Sequence, residues 1–214
     1  MRKCSVILIL VITTLQHEVI TMTNKTALLV VDMQNDFTKP GARAYYHTTE
    51  IMLRDFDEKI NRMRDAGVLI VIIYSLVPDK HKPNPELTRI TKSTRTLVEG
   101  TYGAELDERI PYDPEKDWKM QKFAASSFLH TDLAERLRER GIENVLISGV
   151  KTNVCCRATT VDSASYGFRT YMVKDMLGTN TEELNQFHLE EMHHQYCTAV
   201  TSDEVMELLQ EGKL

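Results

Sequence analysis

Short apolar runs alternate with stretches of helical periodicity along most of the chain. Continuous apolar runs at 27–31 and 68–73 are typical of strands buried on both faces of a parallel sheet, and residues 144–148 form the clearest strand pattern later in the chain. Between the first two runs, apolar residues recur at helical spacing from Leu53 to Met63, and Gly67 marks the end of the predicted helix. The pattern therefore predicts a strand, a helix and a second strand in this part of the chain.

The later part of the chain repeats this alternation after a long loop between Leu76 and Asp117, which carries five of the six prolines. The strands predicted after the loop lie at 118–120, 144–148, 170–173 and 198–200. The predicted helices between and after them run from Thr131 to Gly141, from about 153 to 166, from Thr181 onward and from 203 to 210. This order predicts an α/β fold with a parallel sheet and helices on both faces, because right-handed crossovers place the helices there.

Composition narrows the class of protein further. The chain has 214 residues, of which 42% are hydrophobic and 27% charged, so one domain with a substantial core is expected. Its net charge is -5, which argues against the basic face that nucleic-acid binding requires. Neither a glycine-rich dinucleotide motif nor a phosphate-binding loop is present. Four irregularly spaced cysteines form no disulfide or zinc pattern, which favours a reducing compartment and free thiols.

The first 22 residues differ from the rest of the chain. Met1-Arg2-Lys3 is followed by an apolar stretch at 5–12, as in a signal peptide, but no small-x-small cleavage site follows. The stretch is too short to span a membrane as a helix. Met22 then stands where an ordinary protein start would, directly before the first strand. We expect residues 1–22 to be an N-terminal extension or a targeting segment and residues 23–214 to form the domain, with a cytoplasmic location unless the segment targets the chain elsewhere.

Three reactive side chains lie where predicted strands end. Asp32 directly follows the first strand, Lys122 follows the short strand that begins at Trp118, and Cys155 lies in the first turn of the helix after the 144–148 strand. Ligands bind beyond the carboxyl ends of parallel strands in folds of this kind. We therefore expect the three side chains to converge at one edge of the sheet.

A thiol, a carboxylate and an ammonium in contact form an activated nucleophile. The unpaired N–H groups at a helix start and a nearby Lys122 favour the thiolate of Cys155, and Asp32 can accept its proton. The same N–H groups can donate to the oxyanion that forms in acyl transfer. Spacing alone leaves two interpretations open, a nucleophilic cysteine and a buried, inert one.

Three segments around these residues resemble the motifs of the isochorismatase-like cysteine hydrolases. Residues 30–37 (VVDMQNDF) resemble V-D-x-Q-N-D-F, and residues 122–131 (KFAASSFLHT) resemble K-x-x-x-S-x-F-x-x-T. Residues 149–159 (GVKTNVCCRAT) resemble the nucleophile segment, G-V-x-T-x-x-C-x-x-x-T, and residues 100–106 (GTYGAEL) are similar to a glycine-rich segment of many members. The segments stand in the family's order and separation, and the resemblance extends from about Thr26 to Val205.

The resemblance implies a six-stranded parallel sheet and a catalytic triad of Asp32, Lys122 and Cys155, with no cofactor. In the family the aspartate is the general base, the lysine stabilises the charged site, and the cysteine forms a thioester with loss of ammonia or an amine, which water then hydrolyses. It also implies a cis peptide at Val150–Lys151 and an oxyanion hole formed by the N–H groups of Lys151 and Cys155. The cysteine argues against the branch that cleaves the vinyl ether of isochorismate, which lacks it.

Four other motif residues are candidates for substrate contacts. Asn35 and Phe37 follow the aspartate and either line the site or belong to the framework. Thr152 and Arg157 flank the nucleophile. An arginine can hold a carboxylate through two hydrogen bonds, although a charge on the helix surface is the simpler interpretation of Arg157.

Three further features favour structural interpretations. We expect Asp36 to be an acceptor in the turn after the first strand, and Cys156 to be a core residue, with a resolving thiol as its alternative. Asp79-Lys80-His81 resembles the D-x-H part of the nicotinamidase zinc motif, but no other histidine occurs before Trp118. No metal site is therefore expected.

These features favour an amidohydrolase that acts on a small linear amide or ureide, such as an N-carbamoyl compound or ureidoacrylate. A nicotinamidase is the main alternative. A non-catalytic binding member of the family is the alternative from another class, and a redox role for the two adjacent cysteines is the least favoured. The expected partners are a small-molecule substrate and other copies of the chain, as a homodimer or homotetramer, with no nucleic acid and no membrane.

Overall fold

Six parallel strands form one sheet in the computed structural model, which describes residues 24–77 and 96–214. The strands occur in the sheet in the order β3-β2-β1-β4-β5-β6. The first strand is therefore central, with β2 and β3 on one side of it and β4, β5 and β6 on the other. Their bounds are β1 Thr26–Val31, β2 Leu69–Ser75, β3 Trp118–Lys122, β4 Asn144–Val150, β5 Arg169–Gly178 and β6 Thr198–Val200. The α/β fold that the sequence pattern predicts is confirmed.

Seven α-helices connect these strands within the described ranges. They are α1 Asn35–Thr38, α2 His47–Met52, α3 Phe56–Asp65, α4 Leu133–Glu139, α5 Arg157–Ser165, α6 Glu182–Met192 and α7 Ser202–Gln210. A 3-10 turn at Tyr102–Ala104 and a π-helical turn at Thr152–Cys156 complete the regular structure. None of the helices in these ranges is long and apolar enough to cross a membrane.

The central strand β1 explains why the core has two halves. Its alternate side chains point to opposite faces of the sheet. Leu29 packs in one buried cluster with Leu133 of α4, whereas Leu28 packs in the other with Phe56 of α3. All six residues of β1 are buried, and each large apolar side chain contributes about 1.5–3 kcal/mol by leaving water.

The observed elements depart from the predicted ones mainly at their ends. The helix expected from Leu53 begins at Phe56, and the strand expected at 170–173 extends to Gly178. The short helices α1 and α2 were not predicted, since tertiary contacts outweigh local pattern in elements of four and six residues. The segments at 1–23 and 78–95 lie outside the described residues, so the interpretations of the N-terminus and of Asp79 with His81 are not addressed by the structure.

Gly149 allows β1 and β4 to approach each other closely at the edge of the sheet where the candidate residues lie. It pairs with Val31 across β1 and β4, one residue before Asp32. Its φ is +105°, and a Cβ built there would overlap the Val31 carbonyl oxygen and lie 2.8 Å from the Val31 nitrogen. Only glycine fits this position without displacing the end of β1.

The substitution Gly149→Ala should therefore destabilise the fold by about 3 kcal/mol or more, since it combines a disfavoured φ with backbone overlap. Gly141→Ala is the matched control, because Gly141 has a φ of +76° but a Cβ there would meet nothing within 4 Å. We expect this control to cost about 1–2 kcal/mol. Urea denaturation of both variants measures the difference, and equal losses would contradict the close approach at Gly149.

Candidate active site

The side chains of Asp32, Lys122 and Cys155 meet at the carboxyl edge of the sheet. The Lys122 Nζ lies 2.9 Å from Asp32 Oδ2 and donates to Cys155 Sγ at 3.5 Å. It also donates to the Ala124 carbonyl oxygen at 3.0 Å. The Asp32 and Lys122 side chains are only 2% and 4% exposed, so this ion pair is almost entirely screened from water.

Strand register brings these groups together. Lys122 is the last residue of β3 and pairs with Ser75, the last residue of β2. The Ser75 hydroxyl in turn donates to Asp32 Oδ1 at 3.0 Å, on the neighbouring strand β1. Asp32 itself has a φ of 54°, a left-handed conformation that aspartate tolerates better than most residues, and this turns the chain out of the strand.

The nucleophile segment is a tight π-helical turn between β4 and α5. The N–H groups of Val154 and Cys156 both donate to the Lys151 carbonyl, at 3.0 and 3.1 Å. Cys155 lies between these two donors, and its own N–H does not use that carbonyl. The Val150–Lys151 peptide bond is cis, as the family resemblance implies. Single π-helical turns occur frequently at functional sites.

The pKa of Cys155 differs from the sequence-based expectation. Burial raises it to about 12, the negative charge of Asp32 raises it as well, and Lys122 offsets these effects only in part. Lys122 thus lowers the pKa of the thiol, as expected from the sequence, but burial and the carboxylate of Asp32 oppose this effect and hold the pKa above its ordinary value.

Lys122 remains charged in this environment. Burial by itself favours the neutral amine, but the charges of Asp32 and Cys155 and hydrogen bonds to both raise the pKa of Lys122 above its ordinary value. The site therefore contains an ion pair between Asp32 and Lys122 next to the thiol of Cys155, which places a carboxylate and a cation beside one sulfur atom.

A cavity of about 230 Å³ opens onto these three side chains. Asp32, Lys122 and Cys155 form its polar end together with Ser75. The remaining wall is mostly apolar, and it includes Phe37, Ala44, Leu76, Leu97 and Ala125. A mostly apolar cavity with a few convergent polar groups is typical of a site for a small organic molecule.

The polar residues after Asp32 organise the neighbouring loop. Gln34 is fully buried and clamps the backbone of Ser75, since its Nε2 donates to the Ser75 carbonyl at 2.8 Å and its Oε1 accepts from the Ser75 N–H at 2.9 Å. Asn35 donates to the Tyr102 carbonyl at 2.9 Å, and Asp36 accepts from the Leu97 N–H at 2.6 Å. Asp36 is thus a structural acceptor, as expected.

The four candidate substrate contacts separate into two groups. Phe37 lines the cavity, whereas Asn35 is buried in the framework and does not. Thr152 is also fully buried, and its hydroxyl donates to Asn185 Oδ1 at 2.6 Å. Arg157 forms an ion pair with Glu191 at 2.9 Å on the helix surface and does not line the cavity.

Cys156 and the second motif have structural positions. The Cys156 side chain is fully buried in the core, as expected. The Ser127 N–H donates to Thr159 Oγ1 at 3.0 Å, which ties the lysine segment to the helix that follows the nucleophile. Phe128 is buried in the same core cluster. These motif residues hold the turn and the lysine in a fixed relation.

Three groups that the structure brings to the cavity were not predicted from the sequence: Ser75, Tyr46 and the side chain of Lys151. Ser75 had a usable signal, because it follows the second apolar run at the same edge of the sheet as Asp32. Tyr46 and the Lys151 side chain had none, since loop geometry decides where they point. Within residues 24–77 and 96–214, no cluster of three or more potential metal ligands occurs.

Comparison with known proteins identifies the family to which this fold and site belong. Residues 26–204 match the family model described as the Isochorismatase domain. This match spans most of the chain and includes all three motif segments. The chain is therefore a member of the isochorismatase family of hydrolases.

Several relatives within this family have amides as substrates in their names. The chain is 29% identical over 189 residues to maleamate amidohydrolase of Pseudomonas putida, which covers 86% of this chain and 87% of that protein. N-carbamoylsarcosine amidase of Thermoplasma acidophilum superposes with a TM-score of 0.71 at 26% identity, over 83% of this chain and 96% of that one. Pyrazinamidase of Pyrococcus horikoshii, solved in complex with zinc, gives a TM-score of 0.71 at 31% identity, over 83% and 99%.

The opposing charges around the thiol predict opposite effects of two substitutions. Asp32→Asn removes a charge that raises the pKa of Cys155, so the pH midpoint of its alkylation by iodoacetamide should fall. Lys122→Met removes the charge that lowers this pKa, so the midpoint should rise. Peptide mass spectrometry assigns the alkylated residue, and thermal melting of each variant confirms that it is folded. Shifts in the same direction, or no shift in either variant, would contradict the proposed balance of charges.

Proposed function

We propose that this chain is a cysteine-dependent amidohydrolase that cleaves a small linear amide or ureide, of the N-carbamoyl type, and releases ammonia or an amine. The observation that carries the proposal is the position of Lys122 Nζ, 2.9 Å from Asp32 Oδ2 and 3.5 Å from Cys155 Sγ. A base, a cation and a thiol within contact of each other are the parts that nucleophilic acyl transfer requires.

The first half of the reaction forms a thioester. Asp32 accepts the proton of the Cys155 thiol as the sulfur attacks the carbonyl carbon, and Lys122 stabilises the sulfur while it is charged. The oxyanion is received by the backbone N–H groups of Lys151 and Cys155. When the tetrahedral intermediate collapses, the protonated Asp32 returns its proton to the departing nitrogen, and the C–N bond breaks.

The second half restores the enzyme. Asp32, again ionised, takes a proton from a water molecule that attacks the thioester carbonyl. The C–S bond then breaks, the carboxylic acid leaves, and the sulfur recovers the proton from Asp32. Atoms and protons balance over the cycle: one water is consumed for each amide bond cleaved, and Asp32 is the proton carrier in both halves.

The cavity supports the choice of a small amide substrate. Its volume of about 230 Å³ is below that of sites for drug-sized ligands, which begin at about 300 Å³. The presence of Cys155 supports acyl chemistry over vinyl-ether cleavage. The relatives whose names specify maleamate and N-carbamoylsarcosine are consistent with this substrate class.

A panel of small amides and ureides tests the proposal through ammonia release. N-carbamoyl amino acids, ureidoacrylate, maleamate and nicotinamide are the compounds to compare. We expect turnover of at least one acyclic member, its abolition in Cys155→Ala, and a loss of about 10²-fold or more in Asp32→Asn, because the general base is removed. Cys156→Ala is the matched control, since it removes the neighbouring thiol, which is buried in the core, and should retain activity.

Two outcomes would contradict the proposal. Undiminished ammonia release by Cys155→Ala would exclude the nucleophile. Release from nicotinamide alone, lost after dialysis against a chelator and recovered with zinc, manganese or iron, would favour the nicotinamidase alternative. Thiol-based acyl transfer needs no Lewis acid, so we expect chelation to leave the activity intact.

A further inference from the structure

The side chain of Lys151 extends into the cavity from the start of the nucleophile turn. Its backbone follows β4 directly, four residues before Cys155, and its Nζ lies 4.8 Å from the centroid of the Tyr46 ring. The Tyr46 ring stacks on Phe37 with an angle of 12° between the ring planes. The lysine ammonium is therefore held over an aromatic face, a position that cations favour.

Among the described residues that line the cavity, the formal charges do not balance. The charged members of this set are Asp32, Lys122 and Lys151, and the first two neutralise each other in their ion pair. In the part of the chain that the structure describes, no carboxylate forms an ion pair with Lys151. The positive charge of Lys151 therefore faces a cavity wall that is mostly apolar in its described part.

Partial burial of the Lys151 ammonium costs free energy, because no carboxylate among the described residues pairs with it. Burial lowers the pKa of Lys151, and the charge that Cys155 acquires during the reaction opposes this effect. Tyr46 adds no compensating charge, because burial together with the charges of Cys155 and Asp32 raises its pKa to about 12. A buried cation is stabilised by an anion that arrives with good geometry.

We propose that the Lys151 ammonium binds a carboxylate of the substrate, so that the enzyme acts on small amides or ureides of carboxylic acids. This inference rests on the proposed function and specifies its substrate class. It assigns the role to a side chain in the cavity wall, whereas Arg157, the carboxylate clamp suggested by sequence, is occupied by Glu191 outside the cavity. The reacting carbonyl then lies at Cys155, and the carboxylate lies toward Tyr46.

The test compares an acid with its neutral ester in variants of Lys151. N-carbamoylglycine and its methyl ester, or maleamate and its methyl ester, are the paired probes, and the quantity measured is the acid-to-ester ratio of kcat/KM. In Lys151→Met this ratio should fall about 10- to 100-fold through the KM for the acid, as expected for loss of a charged hydrogen bond. Lys151→Arg should keep most of the ratio, because it keeps the charge.

Lys116→Met is the matched control for net charge, because this lysine is exposed, pairs with Asp113 and does not line the cavity. It should leave the ratio unchanged. If Lys151→Met cleaves both probes in the wild-type ratio, the carboxylate site is wrong and the amidohydrolase proposal stands. If the wild type releases no ammonia from either pair or from any compound of the panel, the proposed function fails, and the inference fails with it.

A binding measurement makes the same distinction without turnover. In a Cys155→Ala background, calorimetric titration with the acid should show binding that weakens about 10- to 100-fold when Lys151→Met is added. Equal affinities in the two variants would overturn the carboxylate site, whatever the activity of the wild type.

Discussion

The ion pair between Asp32 and Lys122 is the interaction on which the rest of the site depends. Two charges with almost no exposure to water carry a desolvation cost of several kcal/mol each. Hydrogen bonds from the Ser75 hydroxyl to Asp32, and from Lys122 to the Ala124 carbonyl, offset part of that cost. The pair places a carboxylate and a cation next to the Cys155 sulfur at the same time.

This arrangement explains why the pKa of Cys155 lies above its ordinary value. Burial raises this pKa, and the carboxylate of Asp32 next to the sulfur raises it further, although Lys122 is in contact with the thiol. In the proposed mechanism the sulfur acquires charge as Asp32 takes its proton, and Lys122 then stabilises the product of that transfer. Asp32 thus has two proposed effects: it raises the pKa of the thiol before the reaction, and it accepts the thiol proton during attack on a bound amide.

Much of the fold and the triad could be predicted from the sequence, because both depend on where buried strands end. Asp32 directly follows the apolar strand β1, and Lys122 ends the short strand β3 of the same parallel sheet. The carboxyl ends of such strands share an edge. Motif positions alone do not separate contact from framework. Asn35 holds the neighbouring loop through the Tyr102 carbonyl, and Thr152 holds the π-helical turn through Asn185. Lys151 was predicted only as a backbone donor, but its side chain lies in the cavity.

The sign of the Cys155 pKa shift could not be predicted in the same way. It is a sum of burial, a carboxylate and an ammonium, and the outcome depends on distances that the sequence does not contain. The carboxylate clamp is a similar case. The sequence left Arg157 as a possible clamp, with a charge on the helix surface as its simpler interpretation. The structure agrees with the simpler interpretation, because the packing of α5 against α6 pairs Arg157 with Glu191.

We propose that Cys155 carries the acyl group during turnover. Rapid acid quenching of the enzyme with an amide that it hydrolyses, followed by peptide mass spectrometry, tests this role directly. We predict a mass increase equal to the acyl group on the peptide that contains Cys155, its removal by hydroxylamine, and its absence in Cys155→Ala. Ammonia release at the wild-type rate with no adduct at any quench time, and with full activity in Cys155→Ala, would contradict it.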